Sequence, residues 1–404
     1  MKALVLAAGT GTEMMPLSKH CPKTMLQIHG KFVIEYVIDG LLETGIEEFV
    51  IVVGHLREKL ERLLEEYRSK GVNIQVVYQG QKHGIEGAIL SAYPILEGDQ
   101  PFILAYGDII TPTKFYHHLI NSFINTAADG SIAVTLIGKS LEFGIASLDD
   151  RGFITKILPD PSKDENDTNY IFAGASILPG EFFEILKEEK KLTKALARLL
   201  KERRRICASV WQDEWTDIGY GWDLLTANKN LFLNLNYARI HKSAKISPSA
   251  HISGIVIIEE GVTIDHNVEI VGPCYIGKNV YIGTNSLIRD YTCIGEDCNI
   301  GYSVEIKNSV IQPKTKIGRL SFVGDSVIGE NVLIGSGVTT MNVLRDKELQ
   351  EVPQQIKGRE YHKLGSIIGP NSTIGSNSVI KPYVIIDADH VIPDGSVIKK
   401  EKSK

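Results

Sequence analysis

Hydrophobic positions in the first half of the chain follow two alternating periods. Short apolar runs, "ALVLAAG" at residues 3–9 and "EEFVIVVG" at 47–54, are typical of buried strands. Between them, residues 32–45 have apolar side chains at helical spacing and end at a glycine. The alternation continues with a helical pattern at 56–71 and a strand at 72–80. This order predicts right-handed crossovers and a mostly parallel, Rossmann-like α/β sheet, which binds ligands at the carboxyl ends of its strands.

From residue 246 onward the hydrophobic pattern has a period of six, and glycine often follows the apolar residue. Isoleucine occupies every sixth position at Ile246, Ile252, Ile258, Ile264, Ile270, Ile276, Ile282, Ile288, Ile294, Ile300 and Ile306. The period returns at Ile328 and Ile334, and again at Ile368, Ile374, Ile380, Ile386, Ile392 and Ile398. Six residues make one flat face of a triangular coil, with aliphatic side chains stacked inside. The pattern therefore predicts a parallel β-helix of hexapeptide repeats.

The two patterns predict the domain organisation. We expect an α/β domain at 1–230, the end of a helical connector at 231–240 and a β-helix domain at 241–400. Residues 341–366 are polar and break the six-residue register, so we expect a loop inserted between coils. A loop of this length is usually either functional or disordered.

Composition excludes several classes of protein. The chain of 404 residues has a formal net charge of -5 and no basic tract beyond the C-terminal "KKEKSK", which argues against nucleic-acid binding. The five cysteines are scattered and never spaced CxxC, so we expect reduced thiols in a cytoplasmic protein. The N-terminal apolar run breaks at glycine too early for a signal peptide or a membrane span, and we expect no membrane partner.

The first predicted strand runs into a glycine loop, "LAAGTG" at residues 6–11, followed by Pro16-Leu17 and Pro22-Lys23. Backbone N–H groups in such a loop can bind phosphate. The loop is not a Walker motif, because no Gly-Lys-Ser/Thr follows. It is not a dinucleotide fingerprint either, because Met14 stands at the third glycine position.

Taken together, this loop, Lys23, the acid Asp108 directly after an apolar strand and the hexapeptide coils make the sequence resemble one family. The chain is similar to two-domain sugar-1-phosphate nucleotidylyltransferases with a left-handed β-helix, in particular the archaeal bifunctional nucleotidylyltransferase/amino-sugar-1-phosphate acetyltransferases. The resemblance covers nearly the whole chain. It implies nucleotidyl transfer from a nucleoside triphosphate to a sugar-1-phosphate, with Lys23 neutralising the phosphates. It also implies Mg²⁺ held by Asp108 and Asp217, since this hard cation prefers carboxylate oxygen.

The resemblance also implies binding residues. The nucleotide would contact Leu6, Ala7, Ala8, Gly9, Thr10, Gly11, Gln79 and Gly84, and the sugar would contact Gly144 and Gly174. Ile85 stands where the family has threonine after the glycine, so base recognition is only partly matched. Gly84 and Gly144 could equally be ordinary turn residues.

The sequence departs from the family at three places. Glu13 stands where the family usually has the arginine that meets the β- and γ-phosphates. In the sugar pocket, Pro159-Asp160-Pro161 replaces Glu-Lys-Pro, and Phe172 replaces an asparagine. In the coils, Arg319 stands where acetylating relatives have a histidine base, and Phe322 replaces a tyrosine. Arginine stays protonated at physiological pH and cannot act as a base.

Three hypotheses follow from this pattern. The first is a nucleotidylyltransferase with altered sugar choice, in which Lys19 supplies the charge missing at Glu13. The second is a weakly active or non-catalytic regulatory paralogue that binds sugar nucleotide and assembles with an active homologue. The third, an acetyltransferase alone, is disfavoured because its base is absent. Similar coils pack about a threefold axis, so we expect a homotrimer or a higher homo-oligomer.

Overall fold

The computed structural model describes residues 1–54, 56–80, 84–98, 100–136, 145–158, 170–343, 355–356, 359–360 and 363–399. The chain forms two compact units. Unit one consists mainly of Met1–Thr10 and Val33–Trp215, and unit two mainly of Gly11–Phe32, Thr216–Ile356 and Glu360–Lys404. Each unit is built from separate segments of the chain, whereas the domains predicted from the sequence are each one continuous range. Those boundaries stay a prediction.

Strands and helices alternate through the first part of the chain. In chain order the strands are β1 (Ala3–Ala7), β2 (Gln27–Ile28), β3 (Lys31–Phe32), β4 (Glu48–Val53), β5 (Asn73–Tyr78), β6 (Phe102–Tyr106), β7 (Ile109–Ile110), β8 (Gly130–Leu136), β9 (Ile145–Leu148), β10 (Ile154–Leu158), β11 (Tyr170–Leu178), β12 (Ile206–Trp211) and β13 (Thr216–Asp217). The helices are α1 (Val33–Leu42), α2 (Glu58–Ser69), α3 (Gly84–Ser91), α4 (Tyr93–Leu96), α5 (Lys114–Thr126), α6 (Phe182–Glu189), α7 (Leu192–Lys201) and α8 (Asp223–Leu233).

The core of unit one is a mixed sheet with nine strands among the described residues, in the order β10-β9-β11-β6-β1-β4-β5, with β8 and β12 joined beside β11. The four strands β6, β1, β4 and β5 are parallel, as the alternating pattern predicts. Strand β11 pairs antiparallel with β6, β8 and β9. The predicted fold class of this domain is confirmed, and the antiparallel part is an addition that the periodicity did not show.

Hydrophobic periodicity explains why these segments take their places. Strand β4 is buried from Phe49 to Val53, as expected for a parallel strand covered on both faces. Helix α2 buries only Leu60, Leu63, Leu64 and Tyr67, which lie on one face at helical spacing. Helices α2, α3, α5 and α7 pack against this sheet, and loops follow the carboxyl ends of β1, β4 and β6.

The second part of the chain consists of short strands. These are β14 (Arg239–Ile240), β15 (Lys245–Ile246), β16 (His251–Ser253), β17 (Val256–Ile258), β18 (Thr263–Ile264), β19 (Glu269–Val271), β20 (Cys274–Ile276), β21 (Tyr281–Ile282), β22 (Leu287–Arg289), β23 (Thr292–Ile294), β24 (Asn299–Ile300), β25 (Glu305–Lys307), β26 (Val310–Ile311), β27 (Lys316–Ile317), β28 (Phe322–Gly324), β29 (Val327–Ile328), β30 (Leu333–Ile334), β31 (Thr339–Thr340), β32 (Gln355–Ile356), β33 (Arg359–Glu360), β34 (Ser366–Ile368), β35 (Thr373–Ile374), β36 (Val379–Ile380), β37 (Val384–Ile386), β38 (Val391–Ile392) and β39 (Val397–Ile398).

Every third of these strands stacks in one of three parallel sheets, each of eight strands in the described part of the chain. The predicted left-handed β-helix is confirmed, and its interior holds the periodic isoleucines, with Ile282 and Ile288 fully buried. Most coils are 18 residues long, but Cys293 pairs with Val310 and Lys316 with Leu333, a spacing of 17. These shorter coils account for the register disturbance between residues 306 and 328.

The stack continues across the polar insertion, because β29 pairs directly with β34 and β31 with β36. Strands β32 and β33 lie within the insertion. Helix α8, where the connector was expected, ends at Leu233, and the first coil strand begins at Arg239. No helix among the described residues is both long and apolar enough to cross a lipid bilayer.

Candidate functional site

In unit one, Asp108 lies beside the end of β1. The Gly107 N–H donates a hydrogen bond of 2.9 Å to the carbonyl oxygen of Leu6. A Cβ at Gly107 would lie 2.8 Å from that oxygen, so glycine is required for the strands to approach. Since β1 and β6 are parallel, their carboxyl ends meet at one edge. This edge carries the predicted loop residues up to Thr10, and Gly9 and Thr10 are exposed.

The loop after β1 is also packed closely against the end of β4. A Cβ at Gly54 would lie 2.4 Å from the carbonyl oxygen of Ala8, which leaves room only for glycine. Ala7 and Ala8 are buried, so the backbone leaves the sheet along a fixed path before it becomes exposed at Gly9. The contributions of Gly54 and Gly107 were not predicted from the sequence, although each glycine directly follows a strand.

Burial raises the pKa of the Tyr116 phenol, and the charge of Asp108 raises it further. Tyr116 therefore stays a neutral, protonated group near this carboxylate.

Gln79 and Gly84, the predicted base-recognition pair, are brought together. The Gln79 amide donates a 2.8 Å hydrogen bond to the carbonyl oxygen of Gly84. Gly84 begins α3 with φ of 77°, a left-handed conformation that favours glycine. This contact joins Gln79, which follows β5, to the first residue of α3, and it is consistent with the turn-residue alternative as well as with a binding role.

Gly174 occupies a bulge in β11. Between Phe172 and Ser176 the register against β8 shifts, and Gly174 has φ of 77°. A Cβ at Gly174 would lie 1.8 Å from Cδ1 of Ile109, the residue after Asp108. The bulge thus brings Gly174 against Ile109, the neighbour of Asp108, and the sugar contact predicted at Gly174 stays a prediction.

The remaining sugar-pocket predictions have different outcomes. Phe172 is 7% exposed and belongs to the hydrophobic core of unit one. Gly144 and Pro159 lie outside the described residues. The sugar contact predicted at Gly144 stays a prediction.

In unit two, Gly11 and Lys23 lie together. Gly11 has φ of 64°, and a Cβ there would lie 3.5 Å from Cβ of Lys23. The Ser18 hydroxyl donates a 2.6 Å hydrogen bond to the carbonyl oxygen of Gly11 and closes the turn. Residues 11–23 therefore form a compact loop, with Lys23 beginning a 3₁₀ turn that runs to Met25.

Glu13 has a defined partner. The Tyr220 hydroxyl donates a 2.7 Å hydrogen bond to Oε2 of Glu13. The N–H groups of Gly219 and Tyr220 both donate to Oδ2 of Asp223, at 2.9 and 2.7 Å, so Asp223 fixes the turn that presents Tyr220. The acid that departs from the family pattern is therefore held against the segment containing Asp217.

The sequence analysis missed Tyr220 and Asp223. The signal was present in "WTDIGYGWD", where glycines on both sides of Tyr220 indicate a tight turn after Asp217. An aspartate at the start of a helix that accepts hydrogen bonds from the preceding turn is a common arrangement. The partner of Tyr220 could not be found in this way, because it lies 207 residues away in the sequence.

Asp108 and Asp217, the ligands that the resemblance implies, have the carboxylate oxygens that Mg²⁺ prefers. No group of three or more His, Cys, Asp or Glu side chains converges among the residues that the structure describes. Mg²⁺ is usually held by one or two carboxylates together with substrate phosphates and water, so a dedicated cage of protein ligands is not needed. Asp108 belongs to unit one and Asp217 to unit two, and their joint role at a metal stays a prediction.

Arg319 lines a depression of about 580 Å³ on the coils, together with Tyr281, Tyr302, Lys316 and Leu333. Phe322, on β28, pairs with residues of the coils above and below. The depression therefore carries two cationic side chains where a neutral histidine would be needed as a base.

Comparison with known proteins assigns the chain to a family. Residues 2–232, more than half of the chain, match the family described as nucleotidyl transferase. The chain belongs to the nucleotidyl transferase family. Residues 270–347 of this nucleotidyl transferase match the family described as GMPPB C-terminal domain.

Relatives of this nucleotidyl transferase extend over its whole length. The bifunctional protein GlmU of Methanococcus maripaludis is 34% identical over 100% of this chain and 98% of the relative. The bifunctional sugar-1-phosphate nucleotidylyltransferase/acetyltransferase of Sulfurisphaera tokodaii is 33% identical over 99% of this chain and 98% of the relative. The low-salt glycan biosynthesis nucleotidyltransferase Agl11 of Haloferax volcanii is 33% identical over 83% of this chain and 94% of the relative.

A crystal structure of UDP-glucose pyrophosphorylase complexed with UDP-glucose is 24% identical, with a TM-score of 0.51, and covers 58% of this chain and 99% of that chain. This likeness shows the fold alone. The predicted resemblance to sugar-1-phosphate nucleotidylyltransferases with a C-terminal β-helix is confirmed by the full-length relatives.

Proposed function

We propose that this nucleotidyl transferase joins a nucleoside monophosphate, taken from the triphosphate, to a sugar-1-phosphate. A phosphate oxygen of the sugar-1-phosphate attacks the α-phosphorus, the bond from that phosphorus to the bridging oxygen breaks, and pyrophosphate leaves. The observation that carries the proposal is the Gly107 hydrogen bond to Leu6, which sets Asp108 beside the loop after β1. A full-length relative named for this chemistry supports it.

The residue roles follow from charge. Lys23 would neutralise the phosphates, and the loop from Leu6 to Gly11 would bind them through backbone N–H groups. Asp108 and Asp217 are the acids proposed to hold Mg²⁺. When bound, this ion would withdraw charge from the phosphate oxygens. Catalysis of this kind needs alignment and charge neutralisation more than covalent chemistry.

The hydrogen bond from Tyr220 to Glu13 favours a second candidate function. A carboxylate held in the loop from Gly11 to Lys23 would repel a triphosphate bound beside Lys23, and the chain would then bind sugar nucleotide with little turnover. In that case it would act as a regulatory paralogue, assembled with an active homologue. Acetyl transfer is disfavoured by the guanidinium of Arg319 at the position of the base.

Pyrophosphate release separates the two candidates. The purified protein is incubated with Mg²⁺, each of five nucleoside triphosphates (ATP, GTP, CTP, UTP or dTTP) and a panel of sugar-1-phosphates. We expect turnover with at least one pair. No release above background with any pair, combined with measurable binding of a sugar nucleotide, would select the regulatory function.

Variants then test the proposed residues. We expect Lys23→Ala, Asp108→Asn and Asp217→Asn each to lower kcat by about 100-fold or more, because each removes a charge proposed to act in the transition state. Lys31→Ala removes an exposed lysine from the same N-terminal segment and serves as the matched control. Equal rates for Lys23→Ala and Lys31→Ala would refute the role of Lys23.

A further inference from the structure

The segment that carries Lys23 is attached to the coils on both sides of that lysine. On one side, Nζ of Lys19 lies 3.1 Å from Oδ2 of Asp389, and Nε2 of His20 lies 2.8 Å from the same oxygen. On the other side, the N–H of Gln27 donates to Oε1 of Gln312 at 3.0 Å. The Gln312 amide also donates to the carbonyl oxygen of Gln27 at 2.7 Å. Lys23 lies between these two attachments in the sequence.

The two attachments differ in strength. The Asp389 carboxylate is about two-fifths exposed, and ion pairs of this exposure contribute little to stability. Hydrogen bonds from Asn371, His20 and Lys19 hold the pKa of Asp389 at about 2, so this group is a carboxylate throughout the neutral range. Gln312 is only 3% exposed and bonds to both backbone groups of the half-buried Gln27, so its loss would leave these two groups without this partner.

Apolar contacts support the same attachment. Met14 is fully buried and Leu17 is 2% exposed, so the loop has a packed side as well as an exposed one. A Cβ at Gly221 would lie 3.2 Å from Leu17 and 2.6 Å from the coil residue Ile367. The loop from Gly11 to Lys23 thus has a fixed position relative to the coils.

We propose that Asp389 and Gln312, both residues of the β-helix, are positioning residues for nucleotidyl transfer, because they hold the segment from which Lys23 reaches the phosphates. This inference rests on the proposed function. Asp389 and Gln312 act through Lys19, His20 and Gln27 and need no contact with substrate. The coils would then contribute to nucleotidyl transfer by holding the segment that contains Lys23.

A matched pair of coil variants tests the proposal. Asp297 occupies a corner equivalent to Asp389: both have left-handed φ, and each accepts a 3.1 Å hydrogen bond from an asparagine of the preceding coil. Asp389→Ala and Asp297→Ala therefore remove the same bond within the coils, but only Asp389→Ala also releases Lys19 and His20.

We expect Asp389→Ala to lower kcat by roughly tenfold with the KM for sugar-1-phosphate unchanged, because misplaced catalytic groups lose rate. Asp297→Ala should stay within about twofold of the wild type. Asp389→Asn keeps an acceptor and should restore part of the loss. Hydrogen exchange measured by mass spectrometry should become faster over residues 11–26 in Asp389→Ala alone. Equal kinetics of the two alanine variants would overturn the proposal.

A second variant and a second readout keep the test independent of turnover. Gln312→Met preserves the volume of the side chain and removes both hydrogen bonds to Gln27, so it should also lower kcat and speed exchange over residues 11–28. If the wild type releases no pyrophosphate, the proposed function fails, and calorimetric binding of the same five nucleoside triphosphates with Mg²⁺ decides. Affinity that is equal in Asp389→Ala and Asp297→Ala, or no binding at all, would overturn the positioning role.

Discussion

At the scale of single residues, Glu13 places a negative charge in the loop that contains Lys23. An acid near a bound triphosphate is unfavourable, and the bond with Tyr220 shows how the loop accommodates this side chain. Two unit charges about 4 Å apart in water-like surroundings interact by ~1 kcal/mol, which corresponds to about fivefold in rate. A neutral hydrogen-bond acceptor at this position would keep the contact with Tyr220 and remove the repulsion.

We therefore predict that Glu13→Gln raises kcat/KM for the nucleoside triphosphate by about fivefold. Glu13→Arg should raise turnover as well, since it adds a cation, although it loses the acceptor for Tyr220. Tyr220→Phe breaks the same hydrogen bond but keeps the acid, so it should bring no gain. Steady-state kinetics of the three variants is the measurement. A lower rate for Glu13→Gln would mean that the carboxylate itself takes part in the reaction.

His29 gives a prediction about pH. Its ring stacks on Tyr275 with centroids 5.1 Å apart, and Nε2 lies 2.9 Å from the amide oxygen of Asn228. Burial lowers its pKa from 6.5 to about 4, and the Asn228 contact opposes this only in part. Between pH 6.5 and 4, His29 is protonated in the unfolded chain but stays neutral in the folded chain. The folded state therefore loses stability as the pH falls through this range.

His29→Asn should reduce this pH dependence, because asparagine tolerates the left-handed φ of 49° and does not titrate. The advantage of the wild type over this variant should shrink by up to about 3 kcal/mol between pH 7 and pH 4. Urea unfolding of both proteins across that range measures it. Parallel pH profiles would contradict the assignment to His29.

Residue roles were only partly predictable from the sequence. Asp108 could be placed at a strand end because strand periodicity fixes where β6 stops. The contacts of Tyr220, Gln312 and Asp389 with residues 13–27 could not be predicted, since each pair is separated by more than 200 residues along the chain. Local patterns give the chemistry of a side chain, whereas its distant contacts depend on tertiary packing.

At the scale of elements, the bulge in β11 connects the sheet with Asp108. Gly174 and Gly152 have nearly the same φ, 77° and 79°. Beside Gly174 a Cβ would meet Ile109, whereas at Gly152 nothing lies within 4 Å. Alanine at either glycine costs about 1 kcal/mol in backbone conformation. Only at Gly174 must a neighbouring side chain also move.

We predict that Gly174→Ala lowers kcat by about tenfold or more, because it displaces Ile109 and with it the adjacent Asp108. Gly152→Ala should change the melting temperature slightly and leave kcat near the wild-type value. Kinetics and thermal unfolding of both variants give the comparison. If the two substitutions affect kcat alike, the bulge does not position Asp108.

The coils show how far periodicity reaches. The six-residue pattern predicted the β-helix correctly, because one inward side chain per face is a strict requirement of the stack. Between residues 306 and 328 the six-residue isoleucine pattern is interrupted, since valine replaces isoleucine at Val323 and the coils are one residue shorter. The length of a coil depends on the number of residues at its corners, and the periodic apolar positions do not reveal that number.

At the scale of the whole molecule, exposed apolar residues on one face of the coils favour self-association. Leu333 is 47% exposed and Val391 is 69% exposed, and both lie in the same sheet, separated by Thr373. Exposed apolar side chains on one face are often covered in an oligomer. The homotrimer or higher homo-oligomer expected from the sequence stays a prediction.

Light scattering coupled to a sizing column should give the mass of an oligomer for the wild type. Val391→Glu places a charge in this face and should shift the mass toward the monomer. Ile124→Glu, at an equally exposed apolar position on α5 of unit one, should leave the mass unchanged. A monomeric wild type, or dissociation by Ile124→Glu instead of Val391→Glu, would contradict the prediction.

The β-helix begins at β14 and ends at β39, and nothing in a stack of parallel coils closes it on itself. Each terminal coil therefore presents backbone groups of the kind that can nucleate end-to-end polymerisation. The sequence ends in "KKEKSK" directly after the last coil strand. Lysine side chains beside an exposed strand edge are one of the means by which β proteins avoid such pairing.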